Sequence, residues 1–237
     1  MLKKNKQGYY FFEEFKGLIH GISTRKFTGE KLLAALGLKK ENLVLAQQIH
    51  GNKIKVVGDT DKGKTISGVD GLMTNMPGVI LSVRTADCLP VIFCDPKAKI
   101  IGICHAGWRG VLSRLPQKMV DQMIRKGGLP ENLLVGIGPH ICGQCYSVEK
   151  ARSQRFLAEF GKLEGMVQPG KKTDFLDLAV PSTVQLIHSG VLEKNIEFGH
   201  LCTSCHNKEF FSYRKDKKET YLSAGRNYGE MLSVVSL

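Results

Sequence analysis

Val91-Ile92-Phe93-Cys94, Asp95-Pro96-Lys97 and Ile100-Ile101-Gly102-Ile103-Cys104 follow one another in the middle of the chain. Two apolar runs of strand length separated by turn-forming residues predict a β-hairpin. Cys88 lies just before this hairpin and His105 just after it, so its closure brings a thiol and an imidazole toward each other.

Outward from the hairpin, Val79 to Val83, Leu133 to Ile137 and Ile54 to Val57 read as further strands, and Phe210 to Tyr213 is strand-like. Leu32 to Leu38 is a short helix candidate. After Ala106-Gly107-Trp108-Arg109-Gly110 a helical face recurs through Val111, Leu115, Met119, Val120 and Met123, with Pro116 marking a kink or a late start. Val148 to Phe160 and Leu176 to Ser189 are also helix candidates, the second with Pro181 near its start. Strands and helices mix without regular alternation, which predicts an α+β fold. With no linker-like stretch, residues 1–237 are expected to form one domain.

The chain has 237 residues, 42% of them apolar, enough for a core that needs no disulfide staple. No apolar run approaches the roughly 20 residues that cross a bilayer. The basic start, Met1 to Lys6, is interrupted by Glu13 and Glu14 before any signal-peptide core develops, so a cytoplasmic protein without membrane contact is expected. Seven cysteines in a reducing compartment are then thiols, either buried, metal-binding or reactive. The net charge of +12 comes from scattered lysines, and neither a zinc finger nor an RNA-binding signature is present. A small anionic substrate fits that charge, and nucleic acid is not expected as a partner.

Several signals carry chemistry. Gly58-Asp59-Thr60-Asp61-Lys62-Gly63-Lys64-Thr65 matches the P-loop pattern literally, but Ile66-Ser67-Gly68 does not continue as the helix that phosphate binding requires, so a polar loop is expected. Cys142-x-x-Cys145 and Cys202-x-x-Cys205 could together make a tetrahedral zinc site. The gap between the pairs exceeds that of a zinc ribbon, and buried or loop thiols are the preferred reading. His50, Cys88 and His105 form a sound zinc ligand set with one position left for water or substrate, although each alone could be a hydrogen-bonded core histidine or a small buried thiol. Arg109, flanked by glycine near a helix start, suits an oxyanion or phosphate; the alternative is a structural arginine beside the only tryptophan.

Gln48-Ile49-His50-Gly51, Asp70-Gly71-Leu72-Met73-Thr74-Asn75, Thr85-Ala86-Asp87-Cys88-Leu89-Pro90, His105-Ala106-Gly107-Trp108-Arg109-Gly110, Gly138-Pro139 with Cys145-Tyr146, and Ser212-Tyr213-Arg214-Lys215-Asp216 with Gly225-Arg226 run across nearly the whole chain. In this set and order the sequence resembles the bacterial polyphenol oxidase or laccase-domain family, now described as purine nucleoside phosphorylases with adenosine deaminase side activity. The resemblance implies a single layered α/β domain with mixed sheets, likened to cysteine hydrolases, and a zinc held by His50, Cys88 and His105. It implies phosphorolysis of adenosine, inosine, guanosine and methylthioadenosine to base and ribose 1-phosphate, with purine nucleoside and phosphate as partners and a monomer or homodimer as the assembly. On that expectation Arg109 holds phosphate, and Asp87 moves a proton or orients a ligand histidine. The tail departs from the family pattern at Ser223-Ala224 and through the extra residues Lys217 to Leu222, which leaves the role of Arg226 open.

The older copper-oxidase label is testable on the residues. Multicopper oxidases build their cluster from several His-x-His pairs, and none of the seven histidines is so spaced, so copper is disfavoured against zinc. Two rivals remain. One is a metal-free hydrolase with Cys88 as nucleophile and His105 as base, acting on an amide such as that of a cell-wall precursor. The other is a nucleotide-binding module on the Gly58 to Thr65 loop.

Overall fold

The computed structural model describes residues 1–219 and 229–237. The hairpin is its centre. Strands Leu89–Asp95 and Ile100–Ala106 pair antiparallel, with Ile100 opposite Asp95 and Ala106 opposite Leu89. Asp95 closes the turn through its own carboxylate, whose Oδ1 accepts the backbone N–H of Lys97 at 2.9 Å and of Ala98 at 2.8 Å.

Both hairpin strands are buried along their whole length, because both faces of their sheet are covered. Val91, Phe93, Ile100 and Cys104 face a helical layer, whereas Ile92, Cys94, Ile101 and Ile103 face a second sheet. Two-sided burial removes the polar alternation of a half-exposed strand and leaves the continuous apolar runs of the sequence.

The hairpin's sheet has six strands, in the order Ile196–Phe198, Leu134–Ile137, Leu89–Asp95, Ile100–Ala106, Gly71–Thr74 and Ile54–Val56. The facing sheet has seven, in the order Leu2–Lys4, Tyr10–Phe12, Ile19–Ile22, Met231–Ser236, Ile80–Thr85, Leu43–Gln47 and Thr65–Ser67. Both mix parallel and antiparallel pairs. A third, small sheet joins Ser147–Val148, Asp174–Leu176 and Val167–Gln168. Helix Leu115–Arg125 packs on the outer face of the six-stranded sheet, helix Ala179–His188 packs against that helix, helix Lys150–Phe160 lies against the small sheet, and helix Gly29–Ala35 packs on the seven-stranded sheet. The α+β expectation with mixed sheets is met. No helix among the described residues is long and apolar enough to cross a membrane.

The late helix start allowed at Pro116 is found in the structure, and one other expectation changes. The helical face from Val111 is two helices, Trp108–Leu112 and Leu115–Arg125, broken at Arg114, whose φ is 59°. Pro116 sits in the first turn of the second, where its missing N–H costs nothing. Phe210 to Tyr213 is not a strand. Ser212 instead caps helix Tyr213–Glu219, its hydroxyl accepting the N–H of Lys215 at 3.3 Å while its own N–H donates to Asp216 at 3.0 Å. Gly58 to Thr65 is a loop that runs into strand Thr65–Ser67 and not into a helix, which removes the P-loop geometry.

Candidate functional site

The segment from Thr85 to Leu89 crosses from the seven-stranded to the six-stranded sheet, and Cys88 lies on that crossover. His50 follows strand Leu43–Gln47 of the first sheet, and His105 belongs to the second hairpin strand. Tight turns carry two of these segments: His50 has φ 59° and Asp87, next to Cys88, has φ 90°. One donor atom from each of His50, Cys88 and His105 lies within 4.8 Å of the others. The two imidazoles stand nearly perpendicular, with centroids 4.8 Å apart and an interplanar angle of 85°. Gly107 makes room for this convergence, since a Cβ there would lie 3.0 Å from His50 Cδ2 and 3.2 Å from Cys88 Sγ.

Asp70 organises the cluster, a role that the sequence reading did not assign. Gly71 pairs with Cys104, so Asp70 lies beside His105 and its carbonyl accepts the His105 N–H at 2.8 Å. Its carboxylate, fully buried, accepts His105 Nδ1–H at 2.8 Å and the backbone N–H groups of His50 at 3.0 Å, Gly51 at 2.7 Å and Ile49 at 3.2 Å. Burial works against this carboxylate, but the His105 ring and the Gly51 and Ile49 amides outweigh it and hold its pKa below the ordinary value. With Nδ1 occupied, His105 presents Nε2 to the cluster.

Burial also disfavours the Cys88 thiolate, yet the charge and hydrogen bonds of His105 and His50 bring its pKa down to about 6. Burial likewise disfavours the His105 cation, and Cys88 and Asp70 raise its pKa to about 10. Without metal, each of the two thus favours the charged form of the other. The other core thiols behave oppositely: burial pushes Cys94 up to about 12 and Cys104 well above its usual value.

The cluster opens onto a cavity of about 740 Å³. Arg84, Arg109, Arg152 and Arg214 line it, together with Trp108, Tyr146 and Tyr213. The guanidinium of Arg109 lies 4.6 Å from the centre of the Trp108 ring system, that of Arg152 4.3 Å from the same centre, and that of Arg214 4.7 Å from the Tyr146 ring centre. Aromatic faces thus hold guanidinium groups in a basic, concave site. Arg109 was expected from its glycine-flanked position. Arg152 was missed, because it comes from the distant helix Lys150–Phe160 and carries no local signature.

Asp87 lies at the cavity wall, but its carboxylate serves the protein. Oδ1 accepts Thr203 Oγ1–H at 2.6 Å and Oδ2 accepts the backbone N–H of Arg214 at 2.7 Å. The carboxylate that orients a histidine of the cluster is Asp70. Cys142, Cys145, Cys202 and Cys205 also converge, with sulfur atoms all within 4.8 Å of one another, where the sequence favoured separate thiols. Gly225 and Arg226 lie outside the described residues, as does the end of the Lys217 to Leu222 stretch.

Residues 28–237 match the family described as multi-copper polyphenol oxidoreductase laccase. The chain is 35% identical over 207 residues to a purine nucleoside phosphorylase of Deinococcus radiodurans, covering 87% of this chain and 75% of the relative. It is 30% identical over 193 residues to adenosine deaminase RL5 of an unknown prokaryotic organism, covering 78% and 74%. The crystal structure of the hypothetical protein YfiH of Bacillus licheniformis superposes with a TM-score of 0.90 at 26% identity, covering 100% of this chain and 98% of the other. That of YlmD from Geobacillus stearothermophilus superposes with a TM-score of 0.88 at 26% identity, covering 99% and 98%.

Proposed function

The chain belongs to the multi-copper polyphenol oxidoreductase laccase family, and from that premise we propose that it is a zinc-dependent purine nucleoside phosphorylase with an adenosine deaminase side activity. The observation that carries this reading is the meeting of two imidazoles and one cysteine sulfur in the wall of an arginine-lined cavity. The relatives named purine nucleoside phosphorylase and adenosine deaminase support the same chemistry.

The donor set fits zinc. His50, Cys88 and His105 supply the mixed nitrogen and sulfur ligands of an open tetrahedral site, and Asp70 orients one of them. When bound, the ion supplies Lewis acidity toward an oxygen of phosphate or water. Multicopper chemistry asks for a different array. The groups of metal-ligating side chains among the described residues are this one and the four cysteines, and neither holds more than two histidines.

In phosphorolysis a phosphate oxygen forms a bond to C1′ of the ribose while the bond from C1′ to the purine nitrogen breaks, its electron pair passing to the base. Arg109 binds phosphate through its charge and forked donors, and the other cavity arginines add to the attraction. Trp108 and Tyr146 stack against the Arg109 and Arg214 guanidinium groups and hold those cations at the cavity wall. Asp87 acts as a positioning residue that holds the Cys88 turn and the start of the Arg214 helix. In deamination, water replaces the amino group at C6 of the adenine and ammonia leaves.

The pair of Cys88 and His105 also fits a second reading, a cysteine hydrolase in which Cys88 attacks an amide carbonyl and His105 gives its proton to the leaving amine. Incubating purified protein with adenosine, with and without phosphate and before and after chelation, separates the two. Phosphate-dependent adenine and ribose 1-phosphate, lost on chelation and restored by zinc, support the phosphorylase. An unchanged nucleoside pool with metal-loaded protein defeats it in favour of the hydrolase.

A further inference from the structure

The four cysteines outside the active site come from two turns far apart in sequence. Cys142 and Cys145 lie just after strand Leu134–Ile137, and Cys202 and Cys205 lie between strand Ile196–Phe198 and helix Tyr213–Glu219. A parallel bridge between His140 and Cys202 sets the turns side by side. All four thiols are free, yet the sulfur atoms lie within 4.8 Å of one another, with Cys145 Sγ and Cys205 Sγ at 3.4 Å.

Core packing does not account for this. Small buried thiols serve as apolar filler, whereas here Cys142 and Cys145 are half-buried and Cys205 is exposed. Polar contacts point the same way. The backbone N–H groups of Cys142 and Cys205 both donate to Cys202 Sγ, at 3.4 Å and 3.5 Å, an arrangement that favours a charged sulfur.

We infer that Cys142, Cys145, Cys202 and Cys205 form a second metal centre, a closed tetrahedral zinc site that staples the two turns together. A zinc–sulfur bond of about 2.3 Å puts the sulfurs of a regular tetrahedron about 3.8 Å apart, and the observed spacing lies on that scale. Clusters of several irons spread their four thiolates more widely than this, so the spacing selects a single ion. With every position filled by sulfur the ion has no place for substrate, and its role is structural.

The staple reaches the active site through Asp87. Thr203, next to Cys202, donates its hydroxyl to Asp87 Oδ1 at 2.6 Å, and Ile141, next to Cys142, donates its N–H to the Asp87 carbonyl at 3.0 Å. Both cysteine turns therefore hold the residue that precedes Cys88. The site stands apart from the activity proposed for the cavity and is testable whatever that activity is.

The test is elemental analysis with zinc-edge X-ray absorption on the full chain, purified under reducing conditions, as wild type and as Cys88→Ala. The expected result is about two zinc ions per chain in the wild type and about one in Cys88→Ala, the latter with a shell of sulfur alone at about 2.3 Å. Cys205→Ser, at the exposed ligand, is the second variant. It should lose one equivalent, or release it at a chelator concentration at least about 10-fold lower, since losing a ligand costs more than losing its outer support. A metal-free Cys88→Ala protein, nitrogen in its zinc shell, iron in place of zinc, or a disulfide between the turns by mass spectrometry would overturn the assignment. So would a Cys205→Ser protein that retains its metal with unchanged resistance to chelation.

Discussion

The Asp70 carboxylate accepts the Nδ1–H of His105 at 2.8 Å and, through the same Oδ1, the backbone N–H of His50 at 3.0 Å. One buried group thus aims one imidazole of the cluster and fixes the loop that carries the other. Three expectations follow from this cluster and its surroundings, and a fourth concerns a histidine buried elsewhere in the fold.

Asp70→Asn keeps the shape of the side chain but removes the charge and one acceptor. Zinc affinity should fall roughly 10- to 100-fold, the usual cost of losing the group that orients a ligand histidine. Competition with a chromophoric chelator measures it. An affinity equal to wild type would mean that Asp70 only supports the loop.

Arg109→Ala should raise the KM for phosphate roughly 10- to 100-fold, matching the loss of hydrogen bonds to a charged group. The KM for nucleoside should change little. Steady-state kinetics with phosphate varied at saturating nucleoside is the measurement, and an unchanged phosphate KM would remove Arg109 from this role.

Gly107→Ala tests the close approach at the cluster. The new Cβ would sit 3.0 Å from the His50 ring and 3.2 Å from the Cys88 sulfur, so one of the two side chains has to move. Zinc content should fall while the far-ultraviolet circular dichroism stays that of the wild type. Full occupancy would show that the His50 loop yields without cost.

His20 tests the pH dependence of the fold away from the site. Burial lowers its pKa from 6.5, against hydrogen bonds to Leu18 and Phe12 that raise it. Its Nδ1–H donates to the Leu18 carbonyl and its Nε2 accepts the Phe12 N–H, so the neutral ring is the one the fold needs. The unfolded chain then binds the proton more readily than the folded one. The contribution of His20 is fully present above about pH 6.5 and is lost as the pH falls below it. Urea midpoints from pH 7.5 down to 5 should drop more steeply in the wild type than in His20→Gln, whose amide keeps both hydrogen bonds without titrating. Parallel curves would refute the assignment.

The hairpin around Asp95-Pro96-Lys97 was legible because two local signals agree, turn residues between apolar runs of strand length. Helices Lys150–Phe160 and Ala179–His188 were legible from their apolar spacing. Strand Met231–Ser236 was not, although it is buried throughout at the middle of its sheet. Its sequence holds two serines, and it earns its place through partners at Ile19–Ile22 and Ile80–Thr85, far away in the chain. Phe210 to Tyr213 was misread because aromatic residues favour strands, while the signal that prevailed was the capping hydroxyl of Ser212.

By itself the sequence determined the mixed α and β character, the central hairpin, and the chemical candidates His50, Cys88, His105 and Arg109, because these rest on local patterns and residue types. The tertiary structure alone decided that Asp70 serves His105, that Asp87 is spent on Thr203 and Arg214, that Arg152 joins the cavity, and that the two cysteine pairs meet. Each of these is a contact between segments far apart in the chain. Such contacts are set by how the sheets stack and which strands pair, and no local spacing encodes that distance.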